Sequence, residues 1–154
     1  HTLEMYPYIV AEEDGVIVGY AYAGPFKGRA AYDRTVETTV YVDRNKKRGG
    51  IGTALYEALE KALAAQGILN AEACIGYPEN GEEDEYLTCD SPKFHEYMSY
   101  RLVGEFRRCG YKFGRWYNMI WMEKFLGEHP DDGKVKPIKK FSEIAESVLP
   151  SVIE

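Results

Sequence analysis

The amino-acid sequence predicts a mixed α/β domain around one sheet, and three observations carry that expectation. Short runs rich in β-branched and aromatic residues, separated by turn residues, occupy the first 42 positions. One segment then changes period: Ile51, Leu55, Leu59 and Leu63 recur every fourth residue, with Ala54, Ala58 and Ala62 beside them. Beyond that helix the strand-like runs resume around one further short helix. The order is strands, helix, strand, helix, strand pair.

Each element has a local reason. Residues 6–12 (YPYIVAE) alternate loosely, and Asp14-Gly15 supplies a two-residue hairpin turn into residues 16–23 (VIVGYAYA), which Gly24-Pro25 is expected to stop. Thr35–Val42 is β-branched almost throughout. Val36, Thr38, Val40 and Val42 share one face, and Thr35, Glu37, Thr39 and Tyr41 the other. Gln66-Gly67 ends the central helix. Residues 68–77 read as a buried strand closed by Pro78, and residues 78–90 as a solvated acidic loop. Ser91-Pro92 is expected to start a short helix, with Ser91 as N-cap, that carries Phe94, His95, Tyr97 and Met98. Residues 101–108 and 116–125 form a closing strand pair around Gly110 and Gly114. After Leu126 the composition becomes linker-like. Phe141, Ile144, Ala145, Val148 and Leu149 then mark a short amphipathic terminal helix, so residues 1–126 and 127–154 are expected to divide into a domain and a tail.

Composition narrows the function. Of the 154 residues 45% are apolar types and 29% charged, a globular mixture. No run approaches the roughly 20 apolar residues a bilayer span needs, so no membrane partner is expected. Lys and Arg total 19 against 25 Asp and Glu, a net charge of -6 that argues against a broadly basic nucleic-acid surface. Aromatic residues make up 14% of the chain, enough for an aromatic-lined pocket. Cys74, Cys89 and Cys109 are widely spaced, and His1, His95 and His129 are scattered, so no zinc framework is indicated and free thiols in a reducing cytoplasm are expected. The opening HTLEMYPYIV lacks the charge and hydropathy pattern of a secretory leader.

The most informative chemistry joins Thr35–Val42 to the central helix. Glycines at 49, 50 and 52 let backbone approach a ligand closely. The helix behind them offers unpaired N–H groups and the positive end of its dipole, a ready place for phosphate. Arg44, Lys46, Lys47 and Arg48 add positive charge there. A glycine-rich turn beside a solvated basic run is the other reading of the same residues. Neither GxxxxGK[ST] nor GxGxxG with a distant acid is present.

Lys47-Arg48-Gly49-Gly50-Ile51-Gly52, between a strand and an amphipathic helix, resembles the [Gln/Arg]-x-x-Gly-x-[Gly/Ala] loop of the GNAT N-acetyltransferases, with Lys47 a cationic departure at its first place. The stretch from Phe26 through Arg29, Tyr32 and Glu37 to Val42 resembles the phosphinothricin and methionine sulfone or sulfoximine acetyltransferase branch, as do Gly76-Tyr77-Pro78-Glu79-Asn80, Phe94-His95-Glu96 and Gly110 to Tyr117. The likeness covers residues 7–125. It implies a GNAT fold, a mixed and mostly antiparallel sheet flanked by helices, whose first strand and two helices lie outside this chain.

The resemblance also implies a cosubstrate and roles. Acetyl-CoA would place its diphosphate on the amides of Arg48, Gly49, Gly50, Ile51, Gly52 and Thr53. Its pantetheine arm would run beside Val40, Tyr41 and Val42, and reach Asn80 and Ser91. The insertion at residues 82–90 separates Asn80 from Ser91 further than in relatives. Glu37 would be the general base for an ammonium that must lose a proton before it attacks a thioester; a solvent-facing strand carboxylate is the plainer reading. Arg29 would clamp a substrate carboxylate, with Thr38 and Thr39 beside it, and His95 would stand where a proton donor meets the departing thiolate, although a lone helical His is more often structural. The expectation is an acetyl-CoA-dependent N-acetyltransferase acting on the α-amine of a small amino acid or analogue. It would be cytoplasmic and homodimeric, without metal or nucleic acid. A protein or peptide N-acetyltransferase and a non-catalytic CoA-binding domain are the alternatives.

Overall fold

The computed structural model describes residues 2–46 and 49–148, without the side chains of residues 2 and 3. The order of elements is α1 (Thr2–Met5), β1 (Tyr8–Glu13), β2 (Val16–Pro25), β3 (Thr35–Val42), α2 (Ile51–Gln66), β4 (Asn70–Pro78), α3 (Asp90–Tyr97), β5 (Arg101–Lys112), β6 (Arg115–Phe125) and α4 (Phe141–Val148). Six strands make a mostly antiparallel sheet in the order β1-β2-β3-β4-β6-β5, flanked by helices. The chain groups into two compact units. One holds α1, β1 to β3, α2 and α4; the other holds α3, β5 and β6, and β4 opens in the first and continues in the second.

In the first unit, Asp14 and Gly15 both take positive φ (51° and 80°), the two-residue turn that matches strand twist. The expectation that Gly24-Pro25 ends β2 is corrected. Gly24 pairs with Glu37 and Pro25 with Val36, because β3 continues the ladder and a terminal proline need not donate to it. Gly19, Ala21 and Ala23 line one face of β2, and Ala21 and Ala23 are fully enclosed. A Cβ at Gly19 would meet the Tyr41 carbonyl at 2.8 Å and Leu55 at 3.1 Å, so only glycine lets the start of α2 approach this closely. The apolar stripe of α2 is buried at Leu55, Tyr56, Leu59 and Leu63, each of the leucines contributing on the order of 1.5–3 kcal/mol. Gly67, at φ 93°, ends the helix as expected.

The terminal helix also packs here: Ile144 and Val148 of α4, with Phe141, rest on Ala62 of α2. Leu149 lies outside the described residues. Gln66, read from sequence only as part of a helix stop, is fully buried. Its Nε2 donates to the Met5 and Lys139 carbonyls (2.6 and 2.9 Å), tying both outlying segments to the end of α2.

In the second unit, β5 runs to Lys112 rather than stopping at Arg108. Phe113 and Gly114 (φ 55° and 73°) make a tight turn, and two irregularities in the β5–β6 ladder absorb the extra residues. Residues 78–90 gain an anchor that the sequence did not indicate. Asp84 accepts from the amides of Tyr86 and Leu87 (both 2.8 Å) and from the Tyr117 hydroxyl (2.6 Å), and pairs with Arg115 at 2.7 Å. Its side chain is only 11% exposed. The segment is thus anchored at Asp84, while Glu82, Glu83, Glu85 and Asp90 are exposed as a solvated acidic loop implies. The N-cap of α3 is Cys89, not Ser91, and has no side-chain cap; Glu83 takes up the Cys89 N–H instead (2.6 Å).

Candidate active site

The site begins with β3. Val36 and Thr38 are buried on its α2 side, and the Thr38 hydroxyl meets the Tyr56 hydroxyl of α2 at 3.3 Å. Thr38, grouped by resemblance with substrate residues, therefore faces the core. Glu37 and Thr39 alternate to the opposite face, both half-buried. Among the described residues the Glu37 carboxylate has no hydrogen-bond or ion-pair partner. Its face also carries Tyr20, Tyr22 and Tyr8 from the neighbouring strands.

At the far end of β3 the chain turns through a short 3-10 helix, Arg44–Lys46. Asp43 organises the turn: its Oδ1 accepts from the Asn45 amide (2.9 Å) and its carbonyl from Lys46 (2.8 Å), while its own N–H bonds Val18. Lys46, one of the four clustered cations, is paired with Glu13 at 2.9 Å. Lys47 and Arg48 lie outside the described residues. Gly49 donates a long 3.4 Å bond to the Lys46 carbonyl.

Gly50 is the N-cap of α2, at φ 82° in the left-handed region that disfavours any side chain. The first intrahelical bond runs from Ala54 to Gly50. The amides of Ile51, Gly52 and Thr53 therefore have no acceptor within the helix. Among the described residues no side chain caps this end and no acid stands in its first turn, so the positive end of a 16-residue helix is suited to an anion.

Glu37 stands five residues before Val42, about 17 Å of extended chain. Over that length Val40, Tyr41 and Val42 pair with Ala21, Tyr20 and Gly19. The other end of the ladder opens into the loop after Pro25. There Phe26, Lys27, Gly28, Arg29 and Tyr32 line an open cavity of about 430 Å³. Lys27 lies over the Phe26 ring, and Arg29 is exposed with no ion pair among the described residues. Two cations beside aromatic rings suit a carboxylate on a short apolar chain.

The remaining residues singled out from sequence belong to the second unit. Asn80 takes positive φ (57°) in a 3-10 turn and is exposed, as asparagine tolerates. Ser91 is exposed on the first turn of α3. His95 is 3% exposed, and its Nδ1–H donates to the Ser91 carbonyl at 2.8 Å, with the Tyr100 ring edge-on beside it. Burial pushes the His95 imidazole below its ordinary range, leaving it neutral at pH 7. Sequence reasoning missed Glu72. Burial first, and the charge of Glu123 second, raise its carboxyl to about 7. Among the described residues no group of three His, Cys, Asp or Glu could hold a metal, and no helix is long and apolar enough to cross a membrane.

Comparisons with known proteins identify the family. The chain is 42% identical over 123 residues to a phosphinothricin N-acetyltransferase of Streptomyces viridochromogenes, covering 79% of this chain and 62% of that protein. It is 31% identical over 124 residues to an L-methionine sulfoximine/L-methionine sulfone acetyltransferase of Salmonella typhimurium, covering 80% and 67%. The crystal structure of a GNAT superfamily phosphinothricin acetyltransferase from Sinorhizobium meliloti, in complex with AcCoA, superposes with a TM-score of 0.71 at 30% identity, over 96% of this chain and 70% of that one. The chain spans about 60% of the length of several curated relatives it matches. The family model for the acetyltransferase (GNAT) domain matches residues 1–121. A glycine-capped, uncapped-by-side-chain helix behind a β-branched strand is therefore found where the family match runs, and the chain belongs to the acetyltransferase (GNAT) domain family.

Proposed function

We propose that this domain transfers the acetyl group of acetyl-CoA to the α-amine of a small amino-acid-like acceptor, with Glu37 as the proton acceptor. The observation that carries the reading is the layout of β3. One end leads to three amides at the start of α2, and the other presents a half-buried carboxylate; neither the amides nor the carboxylate has a partner among the described residues. The intervening stretch of about 17 Å suits an extended pantetheine arm.

On this reading the α2 amides and Gly49 hold the diphosphate, and Val40, Tyr41 and Val42 flank the arm. Arg29 takes the acceptor's carboxylate in the cavity after β2. Glu37 receives the ammonium proton, so that the amine's lone pair attacks the thioester carbonyl. The C–N bond forms, and the positively charged nitrogen of the tetrahedral intermediate gives up its second proton to the departing sulfur as the C–S bond breaks. Coenzyme A thus leaves as the thiol, and Glu37 returns its own proton to solvent. The names of the relatives, which concern phosphinothricin and methionine sulfone or sulfoximine, support a compact amino-acid-like acceptor. Exposed Leu102, Val103, Phe106 and Trp116 on the β5–β6 hairpin support a homodimer as the working assembly.

Release of thiol from acetyl-CoA, measured against a panel of amino acids with phosphinothricin and methionine sulfone included, tests the reading. Turnover by the intact chain should fall roughly 100- to 10,000-fold in Glu37→Gln. The melting shift induced by acetyl-CoA should persist in that variant. Near-normal rates in Glu37→Gln would remove it from the proton transfer.

A further inference from the structure

On the Glu37 face of the β1–β2–β3 ladder the register sorts side chains into rows. Val10, Tyr20 and Tyr41 make one row; Tyr8, Tyr22 and Thr39 make the next. The rings are packed against each other, Tyr20 and Tyr41 with centroids 5.3 Å apart, and Tyr8 and Tyr22 also 5.3 Å apart with planes within 5°. The row after these pairs Glu37 with Gly24. Cross-strand partners project to the same side, so the aromatic carpet stops beside the Glu37 carboxylate.

Among the described residues nothing asks for glycine at this place. Gly24 has no left-handed φ, and a Cβ there would meet no atom of the described residues within 4 Å. Gly19, five residues earlier on the same strand, is the opposite case, since its Cβ would collide with the Tyr41 carbonyl. A strand glycine that weakens the strand without relieving a clash commonly marks close approach of a ligand. The loop that carries Arg29 leaves the ladder at Pro25, immediately after Gly24, and returns at Thr35, two residues before Glu37.

Resting on the reading of Glu37 as proton acceptor, we infer that Gly24 is a specificity-determining residue: it keeps open the space beside that carboxylate into which the amine-bearing carbon of the acceptor enters. Tyr22 bounds this space along the strand, and Arg29 draws the acceptor's carboxylate toward the loop. A methyl group at position 24 would enter that space without meeting other described residues within 4 Å.

The intact chain carrying Gly24→Ala or Gly24→Val tests this. Binding of L-methionine sulfone and of phosphinothricin is measured by calorimetry with coenzyme A present, alongside melting temperature and the shift induced by acetyl-CoA. Gly24→Val should weaken acceptor binding tenfold or more, and Gly24→Ala by less. Both should melt at or above the wild-type temperature and keep the acetyl-CoA shift. Wild-type acceptor affinity in Gly24→Val overturns the inference, as does a lowered melting temperature in Gly24→Ala, which would make this a structural glycine. A wild-type chain that binds neither amino acid overturns it too. Glu37→Gln separates the two levels: if it abolishes turnover while Gly24→Val binds normally, only the role of Gly24 falls, whereas unchanged turnover in Glu37→Gln removes both.

Discussion

The Tyr117 hydroxyl of β6 donates a 2.6 Å hydrogen bond to Asp84, the residue that also holds the amides of Tyr86 and Leu87. This contact, with those amides and Arg115, keeps the Asp84 carboxyl below the usual carboxylate range. Asp84→Ala should free the segment around it. Amide exchange at Tyr86 and Leu87 should accelerate roughly tenfold or more, as loss of a charge-assisted bond implies. In the wild type the same protection should hold above the ordinary aspartate range and fade as pH drops below it. Unchanged exchange in Asp84→Ala would mean that other contacts hold the segment.

Gly50 sets a second test. If the amides behind it bind a diphosphate, acetyl-CoA at a hundred times its Kd should stabilise the domain by about 2.7 kcal/mol, and pantetheine, which lacks the diphosphate, by much less. Gly50→Val forces a β-branched residue into the left-handed region at a cost of roughly 1–2 kcal/mol and should remove most of the acetyl-CoA effect. Melting curves with each ligand decide. Equal stabilisation by the two compounds would take the diphosphate away from α2.

On the proposed reading, Arg29 takes the acceptor's carboxylate. Converting the acceptor's carboxylate to an amide should weaken binding by about 1.5–3 kcal/mol, the range for a charged hydrogen bond. In Arg29→Ala the same change should matter little. Full sensitivity surviving in that variant would assign the carboxylate to another cation, with Lys27 of the same cavity the first to examine.

Glu72 makes stability depend on pH. Its folded carboxyl titrates at about 7, raised by burial and by Glu123, against about 4.5 when unexposed to those influences. The folded state therefore binds the proton more tightly, and this contribution is complete below about 4.5 and lost as pH rises toward 7. Because the residue is only half-buried, solvent screening reduces the effect to about 1 kcal/mol. Glu72→Gln should flatten the wild-type decline across that window in denaturant titrations. His95 acts in the opposite sense: its lowered value costs stability as pH falls below about 6.5. Comparing the variant with wild type at each pH isolates Glu72, since His95 is common to both.

The elements around the start of α2 were legible because their causes are local. Thr35–Val42 alternates and is β-branched, Ile51–Gln66 has its fourfold stripe and Gly67 stop, and Asp14-Gly15 is a turn by backbone preference alone. Glycine spacing ahead of a helix likewise pointed to the start of α2, where the amides of Ile51, Gly52 and Thr53 have no acceptor among the described residues. Ser91 misled because an N-cap is chosen by where the chain enters the helix, and Glu83 and Cys89 shift that entry two residues earlier.

The sequence alone determined the order of the six strands and of α2, α3 and α4, and that Glu37 stands opposite in phase to Val36 and Thr38, since periodicity is a property of neighbouring residues. Only the tertiary structure decided that Gly24 faces Glu37, that Thr38 meets Tyr56 across 18 residues, that Tyr117 captures Asp84 across 33, and that Gln66 clasps Lys139 across 73. Those pairings depend on register and packing between distant segments, where a shift of one residue would turn every side chain to the other face.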